Sequence, residues 1–246
     1  MEKKDYHGKA AVITGATRGI GKAVSIRLAG MGVKIAAIAR KQEELDVLKK
    51  EMTELGAECL TFAADVSNYE GIGRVMKETY NTFKSIDILL NNAGTGVDCS
   101  FEDLTQEDID QTIDVNLKGV IYCTKHAVPY MASTGGNIIN ISSMSATRGI
   151  PDPINSNGIY TSTKFAVNGF SECMEKYLLK YKIHVSTLCP GSTATSWWER
   201  WDHSFGLDKM MPPEYVADIV ELILQTPDHI LFKQLKVLPD TEVDNF

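Results

Sequence analysis

Tyr160 and Lys164 stand four residues apart in Ile159-Tyr160-Thr161-Ser162-Thr163-Lys164-Phe165-Ala166-Val167, a segment with a helical apolar pattern. Residues i and i+4 share one helix face, so the phenol and the ammonium point the same way. A free tyrosine, with a pKa near ~10, is a poor proton carrier at neutral pH. A fixed cation beside it favours the phenolate and brings the pKa toward the working range. The pair is therefore a candidate general acid/base. Spacing alone does not single it out, because Tyr80 and Lys84 repeat it in a segment with no supporting chemistry.

A second group of residues points to a phosphate ligand. Thr14-Gly15-Ala16-Thr17-Arg18-Gly19-Ile20-Gly21 follows a short apolar run and leads into a helical one. Glycines at this spacing allow a tight turn, close approach of backbone N–H groups to a pyrophosphate and close helix–strand packing. Gly15, Thr17, Arg18, Gly19, Ile20 and Gly21 are the candidate dinucleotide contacts. The end of the next apolar run decides which dinucleotide. An acid there would accept hydrogen bonds from an adenosine ribose 2′-OH, but the chain reads Ile38-Ala39-Arg40-Lys41. Arg40, with Arg18 approaching from the turn, suits a 2′-phosphate, and the expected cofactor is NADP(H). Asp65-Val66 ends a third run, where a side chain could meet the adenine. Asn92, Ala93 and Gly94 end a fourth, where small residues let backbone approach a ribose.

The elements that must hold these residues alternate along the chain. Strands are expected near 9–14, 33–39, 58–64, 86–91, 136–142, 183–189 and 234–238. Helices are expected near 19–31, 41–55, 69–83, 105–131, 158–180 and 213–226. Several strands are apolar almost throughout, as strands buried on both faces are. The expectation is an α/β fold: one doubly wound Rossmann domain over residues 1–246, with a seven-stranded parallel sheet and helices on both faces. Two segments interrupt the alternation, 144–158 and 192–212, and both follow the carboxyl end of a strand, where ligands bind in such sheets.

Composition narrows the function classes. The 246 residues are 43% hydrophobic and 23% charged, with a net charge of −7. That balance suits a soluble globule and argues against a nucleic-acid binder. Five scattered cysteines without a C-x-x-C pair fit reduced thiols, and neither they nor the five histidines suggest a metal site. A charged amino terminus and the lack of a long apolar run point to a cytoplasmic protein with no membrane partner.

Taken together, Thr14-Gly15-x3-Gly19-x-Gly21, Asp65, Asn91-Asn92-Ala93-Gly94, Asn116, Ser143, Tyr160-x3-Lys164 and Pro190-Gly191 resemble the short-chain dehydrogenase/reductase family, in order and over essentially the whole chain. The resemblance implies roles. Tyr160 would give its proton to a substrate carbonyl. Lys164 would lower the tyrosine pKa and hold the nicotinamide ribose. Ser143 would hydrogen-bond the carbonyl or developing alkoxide, and Asn116 would position a relay water. Pro190, Gly191, Thr193 and Thr195 would surround the nicotinamide. The family also implies a homodimer or homotetramer built on the helices near 105–131 and 158–180.

The implied function is an NADPH-dependent carbonyl reductase acting reversibly on a small-molecule carbonyl, with a small or apolar ketone, aldehyde or hydroxy acid as the expected substrate. Ser143 and Tyr160 are 17 apart, wider than is usual in the family, and the extra residues fall in the loop 150–158 with Pro151 and Pro153. Trp197, Trp198 and Trp201 crowd a polar stretch and are expected to line an apolar pocket as a lid, or else to pack against the domain or a neighbouring subunit. The rival within the class is a 3-oxoacyl-thioester (acyl carrier protein) reductase, disfavoured by the acidic surface and by an ending that lacks a Gly-Gly turn. The rival outside it is a non-catalytic NADP(H)-binding regulatory protein, from which Tyr160 or Lys164 would usually be missing.

Overall fold

The structure, a computed structural model, describes residues 4–147, 158–200 and 206–245. Seven strands form one parallel sheet: β1 Ala10–Thr14, β2 Lys34–Ala39, β3 Cys59–Ala63, β4 Ile88–Asn91, β5 Gly136–Ile141, β6 Ile183–Pro190 and β7 Gln234–Val237. Their spatial order is β3-β2-β1-β4-β5-β6-β7. The order reverses between β1 and β4, and the carboxyl ends of those two strands open the crevice in which such sheets bind ligands.

The apolar runs explain the layering. Side chains alternate across a strand, and in β1 Ala11 and Ile13 pack to one side while Ala10 and Val12 pack to the other. The first side is covered by α1 (Gly19–Gly30), α2 (Gln42–Glu54) and α7 (Pro213–Gln225), through residues such as Leu28, Leu48 and Val220. The second is covered by α3 (Tyr69–Phe83), α5 (Gly119–Met131) and α6 (Ile159–Leu178), through Met76, Ala127 and Leu178 among others. The strands β1, β2 and β4 are thus buried on both faces, and they are apolar at nearly every position for that reason. No helix among the described residues is long and apolar enough to cross a membrane.

One expected helix is in fact two. The stretch 105–131 divides into α4 (Gln106–Ile113) and α5, joined by a π-helical turn at Asp114–Lys118. Thr105 opens α4 with a capping box, its hydroxyl accepting from Asp108 N while the Asp108 carboxylate accepts from Thr105 N. The π turn adds a residue to the helical winding, and a local bulge of this kind redirects the side chains around it. Asn116 sits within it, fully buried.

Candidate active site

The β1–α1 turn is built by sterics and by a neighbouring strand. Gly15 and Gly19 have φ of +64° and +52°, left-handed conformations open to glycine. A Cβ at Gly21 would collide with the carbonyl of Gly15 and the amide of Asn92, so only glycine lets α1 start this close to the strand. Thr14 Oγ1 accepts from Asn92 N (2.9 Å) and Ala93 N (3.0 Å), and Asn92 Nδ2 donates to the carbonyls of Thr14 (3.0 Å) and Gly15 (3.1 Å). The ends of β1 and β4 are clamped together by these bonds. Asn92, expected at a ribose, borders the cleft but spends its amide on the turn. The amino terminus of α1 has no side-chain cap and no acid in its first turn. Its N–H groups and dipole therefore remain available to an anion.

Helix α6 is set by a buried polar chain. Asn91 Nδ2 donates to Asn140 Oδ1, Asn140 Nδ2 donates to Ser171 Oγ, and Ser171 Oγ donates to the Val167 carbonyl, at 2.8, 2.8 and 2.7 Å. Such groups are costly to bury unpaired, so they pin the helix axially to β4 and β5. Ser142 Oγ adds a bond to the Lys164 carbonyl (3.2 Å). Two adjacent serines thus differ in role: Ser142 is buried and holds α6, whereas Ser143 is more open to the cleft and its Oγ accepts from Ser145 Oγ at 2.9 Å.

The two helix positions of interest share the cleft wall with Ser143. Lys164 is 4% exposed; its Nζ donates to the Ile141 carbonyl (2.9 Å) and lies 5.6 Å from the Tyr160 ring centre. Burial lowers its pKa to about 8, because an ammonium in a desolvated site favours its neutral form. Asn116 stands one layer behind. Its Oδ1 accepts from Thr95 N (2.8 Å), and its Nδ2 donates to the Thr95 carbonyl (2.8 Å) and to Thr163 Oγ1 (3.2 Å). Thr163 Oγ1 in turn donates to the Tyr160 carbonyl (2.7 Å). The π turn is thereby tied to the β4 loop and to α6 at the tyrosine.

These parts face one cleft of about 1020 Å³. It brings together the glycine-turn residues Gly15, Thr17, Arg18, Gly19 and Ile20, then Arg40, Asp65, Val66 and the segment Asn92–Gly94. Its wall continues through Ser143, Tyr160, Lys164, Pro190, Gly191, Thr193 and Thr195. Gly21 and Asn116 are the two expected site residues outside its wall. Asp65 has one carboxylate oxygen engaged by Ser67 N and Oγ, at 2.9 and 2.7 Å. Tyr80 and Lys84, the decoy pair, lie elsewhere: Tyr80 stacks on Tyr130 and Lys84 ends α3 in a left-handed conformation.

Past β6 the chain lines the cleft. A Cβ at Gly19 would approach Thr195 Cγ2 to 3.0 Å, so this segment lies against the glycine turn. Trp198 Nε1 donates to the Thr193 carbonyl (2.7 Å), and the Trp197 ring centre is 5.6 Å from that of Tyr160. Both tryptophans line the cleft, whereas Trp201 and residues 148–157 of the other interrupting loop lie outside the described residues. Two acids in the cleft wall were not anticipated. Glu44, in the first turn of α2, and Glu242, in the 3₁₀ turn Asp240–Asn245, both border it. The Glu242 carboxylate accepts from Ser192 N at 3.1 and 3.2 Å, which ties the end of the chain to the segment beside Gly191. For Glu44 the sequence carries a signal: it falls four residues after Arg40, just past the end of β2.

Sequence and structure comparisons agree with this architecture. A family model described as short chain dehydrogenase matches residues 9–204. The chain is 30% identical over 232 residues to an uncharacterized oxidoreductase of Staphylococcus epidermidis, covering 94% of this chain and 97% of that one. Among solved structures it superposes on an alcohol dehydrogenase from the archaeon Thermococcus sibiricus complexed with 5-hydroxy-NADP. That match has a TM-score of 0.85 and 29% identity, covering 94% of this chain and 97% of the other. A metagenomic short-chain oxidoreductase in complex with NADP matches with a TM-score of 0.83 and 28% identity, over 96% and 99% of the two chains. The protein belongs to the short-chain dehydrogenase/reductase family, and it is an oxidoreductase of that type.

Proposed function

We propose that this protein interconverts a carbonyl and an alcohol with NADP(H), using Tyr160 as the acid/base. The observation that carries the reading is the joint lining of one cleft by Tyr160, Lys164 and Ser143 and by the glycine turn, Arg18 and Arg40. The cradle suits a dinucleotide: the uncapped start of α1 is available to the pyrophosphate, and Arg18 and Arg40 bring positive charge to the adenosine end. NADP in the neighbouring structures supports the same choice.

Bound NADPH supplies a hydride to the carbonyl carbon. The rest of the work falls to the chain. Tyr160 Oη delivers a proton to the carbonyl oxygen, and Ser143 Oγ donates a hydrogen bond to the same oxygen as negative charge builds there. With a pKa of about 8, Lys164 is still charged near neutral pH, and its ammonium beside the ring favours the phenolate that remains. Asn116 positions both Thr95 and the Tyr160 turn of α6. Trp197 and Trp198 make the wall beside Tyr160 aromatic, which suits a small or apolar ketone or aldehyde. Phe165 and Tyr177, exposed on α6, fit burial in a homodimer or homotetramer, and the acidic charge fits a cytoplasmic setting.

The test follows NADPH absorbance against a panel of ketones, aldehydes, 3-oxo acids and a 3-oxoacyl thioester. With the best substrate, Tyr160→Phe is expected to lower turnover by about 10²–10⁴-fold while the NADPH Kd stays unchanged. Near wild-type turnover in that variant would remove the proposed mechanism. Turnover with the thioester alone would transfer the function to acyl-chain reduction.

A further inference from the structure

The adenosine end of the cleft carries a carboxylate among its cations. Glu44 does not simply point to solvent. Its Oε2 accepts from Thr17 Oγ1 in the glycine turn at 2.9 Å, a bond that spans 27 positions of sequence, and its Oε1 pairs with Lys41 Nζ at 3.1 Å. The group is held low in pKa by the Thr17 bond first, with Lys41 and Arg18 adding to it. A hydroxyl, an ammonium and a nearby guanidinium around an anion form a donor set that a phosphate group would also use. Thr17, Arg18, Arg40, Lys41 and Glu44 all line this part of the cleft.

We propose that Glu44 is a specificity-determining residue that limits the preference of this site for NADP(H) over NAD(H), its carboxylate engaging in the free protein the donors that a 2′-phosphate would use. The inference rests on the NADP(H) reading above. When a 2′-phosphate enters, Glu44 must give up Thr17 and remain as a like charge nearby. When a ribose 2′-OH enters instead, the same carboxylate is an available acceptor. The absence of an acid at the end of β2 thus overstates the discrimination, because one turn of α2 returns an acid to the site.

The experiment titrates the free protein and Glu44→Gln with NADPH, NADH, 2′,5′-ADP and 5′-ADP, by calorimetry. Removing one like charge at a hydrated surface is expected to tighten NADPH and 2′,5′-ADP by about fivefold, with NADH and 5′-ADP unchanged or weaker. Equal weakening of all four ligands would mean that Glu44 only orders the glycine turn, and it would overturn the inference. Unchanged affinities would do so too. A wild-type protein that binds 2′,5′-ADP no better than 5′-ADP would overturn the cofactor reading itself. That outcome is visible before any variant is made.

Discussion

Replacing Lys164 with Met separates the cost of burying its charge from everything else the side chain does. In the unfolded chain a lysine titrates near 10.5, and in the folded protein desolvation lowers Lys164 to about 8. Between those values the unfolded state holds more protons than the folded one, so stability rises with pH across that window. Below about pH 8 the folded protein carries the full penalty of a buried ammonium, and the penalty is relieved as pH climbs toward 10.5. Methionine has no such term. It leaves the Ile141 carbonyl without its 2.9 Å donor, but that loss does not change with pH. Urea unfolding of both proteins at several pH values therefore isolates the ionisation as a difference. The wild type should gain roughly 2 kcal/mol on Lys164→Met between about pH 7 and about pH 9.5. Groups titrating in that range away from Lys164 are common to both proteins and cancel, and making both measurements in a Tyr160→Phe background removes the tyrosine to which this lysine is coupled. A difference that stays flat across the range would refute the claim that the lysine is desolvated, and with it the account of a cation poised beside Tyr160.

Two further substitutions probe the cradle and the π turn. Arg40→Ala should raise the KM for NADPH by about tenfold or more and change that for NADH far less; equal effects on both cofactors would defeat the assignment of Arg40 to a 2′-phosphate. Asn116→Ala deletes three hydrogen bonds of a buried side chain and should cost about 3 kcal/mol in urea unfolding, with a fall in turnover. A loss below about 1 kcal/mol would show that the Thr95 loop and α6 hold themselves without it.

Much of this protein is legible along the chain because the causes are local. Runs such as Ala10-Ala11-Val12-Ile13 are apolar at every position since both faces of each strand are covered, and that requires a parallel sheet between helices. Gly15, Gly19 and Gly21 announce a turn whose backbone no other residue can follow, and the four-residue step from Tyr160 to Lys164 aligns them on any helix. What the chain order could not show was contact between distant segments. Helical periodicity runs on through residues 105–131, and the π turn within it becomes visible only where Asn116 is held by Thr95 and Thr163. Ser142 and Ser143 are neighbours of the same type, and the packing of α6 on β5 and β6 buries one as a strut and leaves the other more exposed. Glu44 belongs to an amphipathic helix in sequence, and the approach of α2 to the β1–α1 turn puts its carboxylate on Thr17. A residue's spacing sets which face it shares with its near neighbours. What it meets across that face depends on the strand order β3-β2-β1-β4-β5-β6-β7, which brings together segments more than a hundred residues apart.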